Sequence, residues 1–271
     1  MNAFEPDAGE RASPRDLRLA ARAGRFAGLT TGHAAGYVQT NLAILPAADA
    51  GDFVGFCHAN AQACPVLAVS EPGNPHLPVL ADDLDVRTDL PAYWVHRAGR
   101  PTERVADISP LWQSDHVAVA IGCWFSMEDA LLRAGVRLRH VELGIQGPLF
   151  RTARQTHRVG RFGGRLVVSM RPFACAEVDT VKAVSARFAK VHGAPLHVGD
   201  WQALGIADVG RPDFGEVLLP LPNEVPMFWG CGLTAIEALE QARLPFFITH
   251  AAGAMLVTDV RNDTLEQRTS A

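Results

Sequence analysis

Ser13-Pro14-Arg15-Asp16 combines an N-cap hydroxyl, a proline at the first helical position and an acid at the third, so a short helix is predicted to about Arg25. Residues Met1 to Ala12 read as an unstructured lead-in. After a loop of small polar residues, Gly28 to Gly32, the stretch Tyr37 to Pro46 is largely apolar but fits neither the helical nor the strand period cleanly. Asp49 to Asn60 predicts a helix with Phe53, Phe56 and Cys57 on one face, and Val66 to Val69 a short buried strand. Pro72, Gly73, Pro75 and Pro78 then mark an extended loop. Tyr93 to Arg97 and Arg100 to Val105, joined by Ala-Gly, predict a hairpin.

The pattern then repeats itself. His116–Leu131 (HVAVAIGCWFSMEDAL) and Glu224–Leu239 (EVPMFWGCGLTAIEAL) align at the offset that separates Cys123 from Cys231. Each copy is an apolar strand, then Gly-Cys, two residues, Ser126 or Thr234 where an N-cap belongs, and an amphipathic helix carrying an acid. Such a strand–turn–helix unit aims backbone N–H groups and the positive end of a helix at whatever lies beyond the strand. Two copies can set Cys123 and Ser126 opposite Cys231 and Thr234 around one cleft, a placement that open α/β sheets favour for ligands.

Between the copies the chain predicts strands at Leu138–Leu143, Gly147–Thr152 and Leu166–Met170, a helix from Glu177 to Lys190 and a strand around Leu196–Val198. The fold class that follows is α/β. A mixed-sheet α/β main domain is expected from residues 1–135 and 217–271, with a smaller α+β domain inserted at 136–216.

The 271 residues are 48% hydrophobic and carry 25 Lys+Arg against 29 Asp+Glu, a net charge of -4, enough chain for a real core without disulfide staples. No basic block invites nucleic acid or an anionic membrane surface, and no stretch reaches the roughly 18 apolar residues of a membrane span. The acids Glu5, Asp7 and Glu10 and the lack of an apolar leader point to a reducing, cytoplasmic setting. Five separated cysteines without a C-x-x-C pair argue against a disulfide framework or a cysteine zinc site. His192 and His197 are split by Gly193 and Pro195, so no metal is expected, and Asp259 and Asp263 read as a solvated tail. The only lysines, Lys182 and Lys190, share one predicted helix and read as surface, which leaves Schiff-base chemistry almost no candidate.

Candidate chemistry falls on a few side chains, each with a plainer structural alternative. Cys123 and Cys231 suit nucleophiles if the helix dipole stabilises a thiolate, or are small residues at a tight turn. Ser126 and Thr234 are caps that can also touch a bound anion. Arg161, beside Gly163-Gly164, and Arg171, after the strand Leu166–Met170, are candidate carboxylate forks among many surface arginines. His250, at the end of the apolar run Phe246–Thr249, suits a general acid/base or a structural histidine. The loops at Thr30–Gly32 and His192–Pro195 can line a cleft without matching a phosphate fingerprint.

Taken together, Gly36–Pro46 (GYVQTNLAILP), Asp85–Pro91 (DVRTDLP), Ile121–Ser126 (IGCWFS), Gly160–Gly164 (GRFGG), Val168–Pro172 (VSMRP), Val191–Pro195 (VHGAP), Gly205–Asp208 (GIAD) and Ile248–Ala251 (ITHA) resemble the D-glutamate cyclase family. The resemblance runs from about Gly28 to Val260. It implies a lyase, more narrowly a hydro-lyase of amino acid metabolism, that interconverts D-glutamate and 5-oxo-D-proline with loss or gain of water and no redox cofactor; it carries no catalytic assignment. Ring closure needs a deprotonated amine, an electrophilic carboxyl carbon and an oxygen removed as water, parts that the two turns, Arg171 and His250 can supply. No cofactor is expected, and the partner expected is a small carboxylate substrate, with self-association into a homo-oligomer left open. Two other readings stand beside it: a non-catalytic small-carboxylate-binding protein and a cysteine-dependent hydrolase.

Overall fold

The computed structural model describes residues 12–267, so most of the lead-in lies outside the described residues. The helices and strands in chain order are α1 (Pro14–Arg22), β1 (Tyr37–Pro46), α2 (Ala47–Ala59), β2 (Val66–Val69), β3 (Tyr93–Arg97), β4 (Arg100–Val105), β5 (His116–Gly122), α3 (Glu128–Arg133) and α4 (Arg139–Glu142). There follow β6 (Leu149–Gln155), β7 (Arg165–Ala174), α5 (Val178–Ala186), β8 (His197–Val198), β9 (Glu224–Gly230), α6 (Leu233–Ala242), β10 (Phe246–His250) and β11 (Leu256–Arg261). No helix among the described residues is long and apolar enough to cross a membrane.

The strands form two sheets. The first runs β2-β5-β1-β10-β3-β4, with β11 also pairing β1, and the second runs β6-β7-β9-β8. The class is α/β, but the sheet expected to be mixed is antiparallel in every strand pairing among the described residues. Strand direction is set by how a connection returns, and apolar patterning carries no arrow. The second sheet takes β6, β7 and β8 from residues 136–216 and also β9, which lies beyond those bounds.

β1 shows why its period was unreadable. Residues 38–45 are all buried, and their two faces feed different cores. Ala43 and Leu45 pack with Phe53, Phe56 and Cys57 of α2, whereas Leu42 and Ile44 pack with Leu84, Val86 and Ile248. A strand covered on both faces has no polar alternation to display. At the start of the chain, Ser13 and Asp16 form the predicted capping box of α1. Arg18, buried in that helix, pairs with Asp83 at 2.8 Å and Asp259 at 2.9 Å and so ties α1 to β11; Asp259 is therefore no free tail residue.

Leu138–Leu143, expected as a strand, holds α4 instead. Burial of Leu138 and His140 between exposed Arg137 and half-buried Arg139 imitates a strand's alternation, but His140 is held by a 2.8 Å contact of its Nε2 with Glu128. The helix expected to reach Lys190 stops at Ala186 and resumes as one 3-10 turn, Ala189–Val191, with both lysines exposed.

The internal repeat is wider than the aligned segments. Thr40 of β1 pairs with Gly122 of β5, and Val168 of β7 pairs with Gly230 of β9. The offset from Thr40 to Val168 also carries Gln62, after α2, onto Lys190, after α5. A Cβ on Gly122 would lie 2.3 Å from the Lys190 carbonyl oxygen, and one on Gly230 would lie 2.9 Å from that of Gln62. Each turn glycine thus admits the backbone of the other copy, and the copies interlock.

Candidate functional site

Both Gly-Cys turns open on one narrow cavity between the sheets. Asn41 of β1 and His250 of β10 line it from the first sheet, Ser169 and Arg171 of β7 from the second, and Cys123–Phe125 and Cys231–Leu233 from the turns. About 30 Å³ of this space is open to the centre of a water-sized sphere, room for about two waters.

Arg171 is the dominant charge. It is 2% exposed, yet among the described residues no carboxylate lies within ion-pair distance of it. Two of its nitrogens donate to backbone, Nη1 to Met170 O at 2.8 Å and Nη2 to Gln146 O at 2.6 Å, while Nε has no partner. Its guanidinium stacks 5.0 Å from the centre of the Trp124 ring. Burial pulls its pKa down to about 10, opposed by the nearby Glu128. Gly147, at φ +81°, leaves room for it, since a Cβ there would lie 2.9 Å from Nη1. A buried cation without an ion-pair partner is costly to hold.

Glu128 is the main compensation, and it acts without an ion pair. It binds His140, whose ring meets Trp124 edge-on at 5.3 Å, so Arg171, Trp124, His140 and Glu128 form one buried stack. Burial, and then Arg171, lower the His140 pKa, opposed by its hydrogen bond with Glu128.

His250 is 2% exposed at the end of β10, where the apolar run predicts it. Its Nδ1 lies 3.2 Å from the Leu42 N–H and 3.3 Å from the Leu42 carbonyl, and burial lowers its pKa to about 4. His192, from the loop expected to line a cleft, does line this one; it sits on the Gln62 carbonyl at 3.0 Å and is likewise lowered to about 4 by burial.

The two thiols share the cavity, but burial pushes Cys123 well above the ordinary thiol range and Cys231 up to about 11. That is opposite to the dipole-stabilised thiolate considered from the sequence, because desolvation outweighs the N–H of Phe125 or Leu233 beside each sulfur. All five cysteines are free.

Ser126 and Thr234 do not line the cavity. The Ser126 hydroxyl accepts from Gln39 N at 2.9 Å and donates to Gln39 O at 3.1 Å; that of Thr234 accepts from Val167 N at 3.0 Å and donates to Val167 O at 3.2 Å. Neither is an N-cap. Ser126 lies within the 3-10 turn Trp124–Met127, and α6 begins at Leu233, before Thr234. Arg161 is also elsewhere: it is exposed and bonded to the Ala242 carbonyl at 3.1 Å, with Asp49 at 3.4 Å.

Nothing in the periodicity singles out Asn41, Ser169, Gln146 or Trp124. Asn41 carried the one available signal, an amide within an apolar strand; its Nδ2 donates to Gly122 O at 2.9 Å. Among the described residues no group of three or more His, Cys, Asp or Glu side chains could hold a metal ion.

A family model described as D-glutamate cyclase matches residues 117–259. A protein of Burkholderia multivorans named "Putative hydro-lyase" is 52% identical over 253 residues, 93% of this chain and 97% of that one. Proteins of the same name are 51% identical in Paraburkholderia phymatum, over 93% of this chain and 98% of that one, and 50% identical in Jannaschia sp. strain CCS1, over 91% and 93%. A solved nitrogen repressor-like protein from Methanococcus jannaschii aligns at 12% identity over 88% of this chain and 92% of its own, with a TM-score of 0.37, too slight a likeness to bear on the fold.

Proposed function

The chain belongs to the D-glutamate cyclase family, and from that premise we propose that it is a hydro-lyase interconverting a small amino acid and its lactam, D-glutamate and 5-oxo-D-proline, without a redox cofactor. The observation that carries this reading is Arg171, a buried guanidinium with no ion-pair partner on the wall of the shared cavity. A substrate carboxylate supplies the missing anion through charge-assisted hydrogen bonds.

In the ring-closing direction Arg171 holds the γ-carboxylate and stabilises the negative charge that gathers on oxygen as nitrogen attacks. His250, neutral at pH 7, takes a proton from the α-ammonium and returns it to the departing oxygen. One C–N bond forms, one C–O bond breaks, and the two protons lost from nitrogen leave with the oxygen as water. Cys123 and Cys231, protonated at neutral pH, act as walls and weak donors in this scheme. Substrate must widen the cavity, whose wall includes the apolar side chains of Leu233 and Met255.

One observation favours a binding-only reading: burial holds both cavity histidines at about 4, which makes them weak bases near neutral pH, and pushes both thiols up. Proton NMR of the protein with D-glutamate, L-glutamate and both 5-oxoproline enantiomers separates the two. Stereospecific conversion is the expected result. Line-broadening of one acid without conversion would transfer the assignment to a carboxylate-binding protein, and no effect from any of the four acids would remove both.

A further inference from the structure

A second, roomier cleft lies on the other side of His250 and Leu233, which line both spaces. By the same measure as the central cavity it offers about 220 Å³. Trp94, Phe214 and Ile236 give it apolar sides, and the charged groups facing it are Arg151, Glu237 and Glu240, with His96 beside them.

These groups are unevenly satisfied. Arg151 is committed to Glu237, Nε to Oε2 at 2.7 Å, and lies 4.3 Å over the Phe214 ring. Its Nη2 is 3.8 Å from Oε2 of Glu240. The other oxygen of Glu240, Oε1, lies 3.9 Å from His96 Nδ1. His96 is stacked on Phe247 with its Nε2 3.1 Å from Thr249 Oγ1, and its side chain is 3% exposed. Its Nδ1 is buried without any partner.

Burial, and then the neighbouring His250, lower the His96 pKa to about 4, so at pH 7 the ring is neutral and the approach to Glu240 is no ion pair. In the tautomer whose Nε2–H donates to Thr249 Oγ1, Nδ1 presents a lone pair. Two acceptors 3.9 Å apart are bridged by a single nitrogen that carries two or more hydrogens and sits about 2.9 Å from each. Arg151 is shared among Glu237, Asp213 at 3.4 Å and Glu240, and Arg165 lies 3.7 Å from Glu237, so two guanidiniums face three carboxylates; burial raises the Glu240 pKa, and the matching guest is a cation.

We propose that this outer cleft is a binding site for the primary ammonium group of a small amine or amino acid, held between Glu240 Oε1 and His96 Nδ1 with its apolar body against Trp94 and Phe214. The site is separate from the Arg171 cavity and does not depend on the reaction proposed there. A ligand in it is one side chain, His250 or Leu233, away from that cavity.

The test is a 15N-resolved NMR titration of the full chain with benzylamine and with benzyl alcohol, which share a ring and differ in charge at neutral pH. Benzylamine is expected to shift the Trp94 indole and Ala252 signals and to bind at least tenfold more tightly than the alcohol. Glu240→Gln is expected to weaken the amine about tenfold and the alcohol less than twofold. Equal binding of the two probes by unaltered protein, shifts confined to other residues, or amine affinity unmoved in folded Glu240→Gln would each overturn the site. The comparison of probes on unaltered protein decides the matter if the variant does not fold.

Discussion

In the turn after β5, Ser126 clamps the backbone of Gln39 in β1 and Cys123 is sealed at 9% exposure. In the turn after β9, Thr234 clamps Val167 in β7 in the same way, but Cys231 is partly exposed and Leu233 borders the outer cleft. The strands each hydroxyl holds differ more. At one register position β1 carries Ala43, packed in the core around Phe53 and Phe56, whereas β7 carries Arg171. A repeated framework positions two turns, and the different side chains on its matched strands put a buried guanidinium on one side of the cavity only.

The sharpest way to break this asymmetry is Arg171→Met. Turnover or substrate affinity should fall by about 10³ or more, in the range of losing a principal oxyanion donor. The melting temperature should hold or rise, because an unpaired buried charge has been replaced by an apolar side chain of similar length. A sharply lower melting temperature would make Arg171 a structural residue instead.

Acid should act across both copies. His96, His192 and His250 are each lowered to about 4 by burial, below the ordinary value of 6.5. The unfolded chain therefore binds protons that the folded one refuses. Their contribution is complete above about pH 6.5 and is lost as pH falls toward 4. Urea midpoints measured from pH 8 to pH 4 should stay level and then drop; a level profile down to pH 4 would mean that these rings are not held neutral by burial.

Ser126→Ala and Thr234→Val sharpen the comparison directly. Each removes two buried hydrogen bonds to a neighbouring strand and should cost about 1–3 kcal/mol by denaturant unfolding. If the turns are equivalent in the framework the two losses agree; a cost confined to one would show that the clamps are not equivalent.

The smallest effect expected is at sulfur. At neutral pH iodoacetamide should modify exposed Cys175 first, Cys231 slowly and Cys123 not at all in the folded protein. Cys231→Ser should keep turnover within about threefold. Rapid inactivation through Cys231 would revive the hydrolase reading.

Legibility differed from part to part for physical reasons. The capping box at Ser13 and Asp16, the hairpin around Ala98-Gly99 and the strand ending at His250 are local features, and local chemistry marks them. The repeat was visible only where both copies keep Gly-Cys, because the partner strands β1 and β7 share a position and no side-chain pattern. Ser126 and Thr234 looked like caps because a hydroxyl before a helix has the same local signature whether it bonds its own turn or a strand far away in sequence.

By itself the sequence determined the family, the α/β class, the paired turns and the candidates His250, Arg171 and the two cysteines. Tertiary structure decided that Arg171 is buried without an ion-pair partner while Arg161 is exposed beside Asp49, that the thiols are raised rather than lowered, and that Asn41 and Ser169 line one cavity. The reason is that desolvation and charge pairing depend on every group brought near a side chain, most of them distant in sequence, while capping and periodicity depend only on neighbours along the chain.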